Sequence, residues 1–153
     1  MKILKPILSR ALLACTLFLI TAAPISAQQY DKEPCYLFGF AASFADSTVY
    51  FTEIQQIADA SLTKHSSLLF GREQYANQLR DYLQGTGFES PTCVVSFSVK
   101  KKDIENKYLK LKKRYTKNGN YLIKYLTPQD FAFKVQTPDP KLMIVNGGAK
   151  KKH

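Results

Sequence analysis

TCVVSFSVKKKDIENKYLKLKKRYTKNGNYLIKYL, residues 92–126, decides the fold. Its opening residues put Cys93, Val95, Phe97 and Val99 on one face at period two, which predicts a strand. Over 103–115 the period lengthens. Ile104, Tyr108, Leu111 and Tyr115 then share one narrow arc at about 100° per residue, which predicts an amphipathic helix. Asn118-Gly119-Asn120 ends that helix, and 121–126 reads as a further strand. So compact a β-α-β unit predicts a right-handed crossover between parallel strands.

Upstream, residues 35–44 alternate, with Tyr36, Phe38 and Phe40 on one face and Leu37, Gly39 and Ala41 on the other. That is a strand with both faces partly covered. Ala45-Asp46-Ser47 is a turn, and 48–57 (TVYFTEIQQI) is again β-branched and aromatic, so the two runs predict a hairpin. Residues 58–71 read as a connection with a packed end at Leu68-Leu69-Phe70. Residues 72–84 predict a helix. Tyr75, Leu79 and Tyr82 fall at i, i+4 and i+7, flanked by Ala76 and Leu83, and Gly85 and Gly87 stand at its end. A short last strand is predicted over 131–135.

The order β-β-α-β-α-β, with one apolar stripe on each helix, predicts an α+β two-layer sandwich. Its sheet would be mixed and four- to five-stranded, with both helices on one face. Residues 35–135 form the single domain in this reading, after a lead-in over 28–34. Residues 136–153, with Pro138, Pro140, Gly147, Gly148 and Lys150 to Lys152, form a flexible basic tail.

Residues 1–27 read as a signal peptide. Lys2, Lys5 and Arg10 precede an apolar run from Ala11 to Ala23, and Ile25-Ser26-Ala27 supplies small residues for cleavage. Pro24, Ser26 and Gln28 cut the run below the roughly 20 apolar residues of a membrane span. Cys15 lies too early in the run for a lipidation site. The expected product is exported, periplasmic or secreted, begins at Gln28 and has no transmembrane segment.

Charge is concentrated. The chain carries 22 basic and 12 acidic residues. Between Lys100 and Lys117 nine basic residues stand against Asp103 and Glu105 alone. On the helix, Lys102, Lys107, Lys110, Lys113, Arg114 and Lys117 sweep the side opposite the Ile104–Tyr115 stripe. Such a nearly single-signed face can hold an anionic polymer or protein, while a solvated helix face is the plainer alternative. Export argues against nucleic acid as the native partner, which leaves an envelope or extracellular component.

Cys35 and Cys93 remain beyond the signal, and an oxidising compartment favours a disulfide between them; two buried free thiols are the alternative. A thiol enzyme would need Cys93 beside a base, and His65 is the only histidine after the signal other than His153. Asp46 and Glu53 flank the hairpin but read as ordinary turn chemistry. Gly85-Thr86-Gly87 has no following lysine to make a phosphate cradle. Neither His-Glu-x-x-His nor paired Cys-x-x-Cys spacing occurs, so no metal or cofactor is expected. The reading is a non-catalytic binding module, with a Cys93–His65 enzyme as the less favoured alternative.

The stretch REQYANQLRDYLQGTGFESPTCVVSFSVKKKDIENKYLKLKKRY, with YLIKYL after it, resembles small exported bacterial proteins that carry no assigned function. It implies no mechanism. The order of Tyr36-Leu37-Phe38-Gly39-Phe40, then Ala76, Leu79, Leu83 and Gly87, then 94–99, is similar to SPOR-type domains. Those bind peptidoglycan stripped of its stem peptides, so the resemblance implies glycan binding in the envelope.

Overall fold

The computed structural model describes residues 30–64, 67–117 and 119–140. Its elements are β1 (Tyr30–Ala42), β2 (Thr48–Thr52), β3 (Gln55–Thr63), α1 (Arg72–Gly85), β4 (Thr92–Ser98), α2 (Lys101–Lys117) and β5 (Leu122–Leu126). The α+β class, the mixed five-stranded sheet and the two helices are those the sequence predicts. The residues expected to make the signal lie outside the described part.

β2 and β3 form one return path against β1, antiparallel throughout and interrupted twice. Phe40 pairs with Phe51, but Leu37 pairs with Gln55, so the return path has gained a residue. A second residue is gained between Glu33 and Cys35. Each is a bulge. At the first, the Gly39 N–H donates to Thr52 Oγ1 at 2.8 Å, so a side chain supplies the missing ladder acceptor. The second spans Pro34, which has no N–H to contribute. Residues 30–34, expected as a lead-in, and 58–63, expected as a connection, are therefore strand. In the hairpin turn, Asp46 accepts from both the hydroxyl and the amide of Thr48, each at 2.9 Å, and these bonds hold its carboxyl below the usual range.

β4 pairs antiparallel with β1 on the other edge, from Tyr36↔Ser98 to Ala42↔Thr92, and β5 pairs parallel with β2. β4 and β5 thus run parallel, as predicted, but β1 and β2 lie between them.

The helices take opposite faces of this sheet, not one. Side chains alternate along β1. Cys35, Leu37 and Ala41 join Cys93 and Val95 under Tyr75, Ala76, Leu79 and Leu83 of α1. Phe40 joins Val49 and Phe51 under Tyr108, Leu111 and Tyr115 of α2. The physical reason is that β1 is apolar on both sides. Two helices on one face would leave Phe38, Phe40 and Phe51 in water, whereas here none is more than 8% exposed.

α1 begins after Gly71 and ends in a Schellman closure. Phe88 N–H bonds Leu83 O, Gly87 N–H bonds Gln84 O, and Gly87 takes φ +86°, where glycine alone is unstrained. Phe88 is buried against this end.

Residues 131–135 are not a strand. They run extended across the α1 side, held by two glutamine amides. Gln55 donates to Phe131 O at 2.8 Å and accepts from Phe133 N–H at 2.9 Å. Gln78 does the same for Lys134, at 2.9 and 2.7 Å. Gln136 N–H then donates to the Tyr75 hydroxyl at 2.9 Å, and Pro138 is buried. The expected tail is thus tethered at its start.

Candidate binding surface

The rotation of α2 decides where its cations point, and aromatic packing sets that rotation. Tyr108 meets Phe38 edge-on at 5.0 Å between ring centres and Phe51 at 5.8 Å. Tyr115 stacks near Phe40 at 4.7 Å and meets Tyr121 at 4.9 Å. Edge-to-face pairs add stabilisation beyond area alone. Ile104 is fully buried in the first turn. Asp103 near the helix start and Arg114 and Lys117 near its end also suit the helix dipole.

This seating leaves Lys102, Lys110, Lys113, Arg114 and Lys117 exposed. None has a carboxylate partner among the described residues; the ion pair formed on this helix is Lys101–Glu105, at 4.0 Å. Lys107, predicted with this set, is also exposed, but its Nζ donates to Phe97 O at 3.0 Å. Lys112 instead lies 4.6 Å above the Tyr125 ring, a cation–π contact that binds the helix to β5.

Lys107 lies at the outer edge of β4, which among the described residues pairs with β1 alone. From α1, Arg72 Nε donates to Val95 O at 3.0 Å. Two clefts flank this edge. One, of about 370 Å³, is lined by Ser67, Arg72, Ser96, Ser98 and Lys107 among others. The other, of about 380 Å³, lies between Arg72, Ala76, Arg80, Cys93 and Val95. Sequence reasoning treated Arg72 only as the start of a helix. Nothing in the local pattern shows that Arg72 and Lys107, on different helices, converge on one strand.

The thiols do not pair. Cys35 and Cys93 are both buried and free. Cys93 faces Ala41 across the ladder, six positions along β1 from Cys35, or about 20 Å. A disulfide needs Cα atoms within about 7 Å. Burial pushes each thiol up to about 11, so both stay protonated and weakly nucleophilic near neutrality. His65, the base considered for Cys93, lies outside the described residues, as does His153.

Among the described residues no group of three His, Cys, Asp or Glu side chains is placed to hold a metal ion. No helix among them is long and apolar enough to cross a membrane. No family model, curated protein or solved structure matches the chain.

Proposed function

We propose that the protein is an exported, non-catalytic binding module that holds an anionic polymer of the envelope or extracellular space on the outer face of α2. The observation that carries this reading is the unpaired basic face itself. Aromatic packing under the helix turns Lys102, Lys110, Lys113, Arg114 and Lys117 outward together, with no described carboxylate to neutralise them. Protonated, buried thiols support a binding role over a thiol enzyme. Export rests on residues 1–27, and an intact mass beginning at Gln28 for protein recovered from its native source would support it.

The test is co-sedimentation with anionic vesicles and with purified sacculi, at low and physiological salt. Neutralising a charged polymer releases counterions, so binding should weaken steeply with salt. Lys110→Gln, Lys113→Gln and Lys117→Gln together should abolish it without lowering thermal stability. Equal retention of both proteins would sink the proposal. Salt-insensitive retention on sacculi alone would replace it with neutral glycan recognition.

A further inference from the structure

Among the described residues, β4 carries an open edge whose chemistry differs from that of the α2 face. Gly39 directs its N–H to Thr52, so Val95, its partner across the ladder, turns its own backbone groups away from β1. The same alternation turns Cys93 and Phe97 outward. Two of these outward carbonyls are already engaged: Val95 O by Arg72 and Phe97 O by Lys107. Cations at a sheet edge blunt it against indiscriminate pairing. They also select by charge what can pair there.

We infer that this edge receives an extended, acidic segment of another protein as an added strand. Carboxylates on such a segment would draw Arg72 and Lys107 off the two carbonyls, while its backbone amides replace them as donors. The incoming carbonyls would accept from the Val95 and Phe97 amides. The strand offers seven residues, or about 23 Å, and the two clefts give room beside it for alternate side chains. Arg72, Arg80 and Lys107 stand there against Glu73 and against Asp81, whose charge reaches Cys93, which leaves the setting net positive.

Charge also rules on the other occupants. A second copy would bring the same cations to the same edge. Residues 141–153 carry Lys141, Lys150, Lys151 and Lys152 and no acid, and residues 1–29 carry Lys2, Lys5 and Arg10 and no acid. None of these complements the edge.

The probe is a fluorescent, end-capped octapeptide of alternating Glu and Val, titrated by anisotropy against the folded chain. Saturable binding is expected. N-methylation of one alternate set of peptide amides should weaken it at least about tenfold, the scale of one or two lost hydrogen bonds, while methylating the other set should not. Arg72→Gln with Lys107→Gln should weaken it to a similar degree. Lys110→Gln, Lys113→Gln and Lys117→Gln together should leave it unchanged, which separates this edge from the α2 face. Hydrogen exchange at the Val95 and Phe97 amides should slow on binding. Absence of saturable binding, equal affinity for both methylated peptides, displacement by excess inorganic phosphate, or protection confined to α2 would each overturn the inference.

Discussion

Gly39 and Leu79 meet without room for a methyl group. A Cβ at position 39 would stand 2.6 Å from Leu79 Cδ2, 3.1 Å from Phe133 Cζ and 3.3 Å from Thr52 Cγ2. Leu79 is fully buried and cannot swing clear. Gly39→Ala is therefore expected to destabilise by about 1–3 kcal/mol, the range for overpacked cores, measured by urea unfolding. Adding Leu79→Ala should relieve part of the strain, so the double variant loses less than the sum of the singles.

The two faces of the sheet should behave independently. Leu79→Ala empties a fully buried site under α1 and is expected to lose about 2–5 kcal/mol. Leu111→Ala, half-buried under α2, should lose less. With the sheet between them, the losses should add to within about 0.5 kcal/mol in the double variant. Strong coupling would mean that the helices share a face.

Gln55→Glu and Gln78→Glu test the amide clamps with almost no change of shape. Each removes the donor to Phe131 O or Lys134 O and sets a carboxylate against a carbonyl. A loss of about 1–3 kcal/mol is expected for Gln55, which grips buried Phe131 and Phe133, and less for Gln78, which grips exposed Lys134. Hydrogen exchange at Phe133 and Lys134 should accelerate in the respective variants. Unchanged exchange would show that ring packing alone holds the segment.

Alkaline stability should follow the thiols. Cys35 and Cys93 are raised by burial from 9.0 to about 11. Their neutral form is favoured in the folded state, so this contribution is complete below about pH 9 and is lost as pH rises towards 11. Burial raises the Tyr75 and Tyr108 phenols as well, which acts in the same direction. Chemical unfolding midpoints should fall across this window, and Cys35→Ala with Cys93→Ala should flatten the fall after correction for the lost packing. At neutral pH both thiols should resist a disulfide reagent until the chain unfolds.

Much of the architecture was legible because period and chemistry agreed. The Ile104–Tyr115 stripe, the Tyr75–Leu83 stripe and the alternation through Phe38 and Phe40 all became the elements they predict. The strand ends were hidden because Pro34, Asp59 and Ser61 read as loop residues, and only pairing across two bulges makes them strand. The choice of face was hidden for another reason. A stripe tells a helix to bury one side but not where, although apolar residues on both sides of β1 held the clue. The stretch 131–135 looked like a strand because Phe131, Phe133 and Val135 alternate; its hydrogen bonds go to side chains instead of a ladder. Of the basic face, five of six expected cations lie outward without a backbone bond, while Lys107 belongs with Arg72 on the β4 edge.

The glutamine-held segment has a consequence in time. Every described strand and both described helices are encoded by Leu126, yet the wall over α1 is finished by Phe131 and Phe133, which follow them. Phe133 rests on Tyr75 and reaches the position beside Gly39, near the start of the sheet. A nascent chain that has emerged through β5 therefore still lacks one side of its interior. Closure waits for a stretch that follows every described regular element, whether the chain emerges from a ribosome or from an export channel, so the last native contacts open to it are also among the longest in sequence.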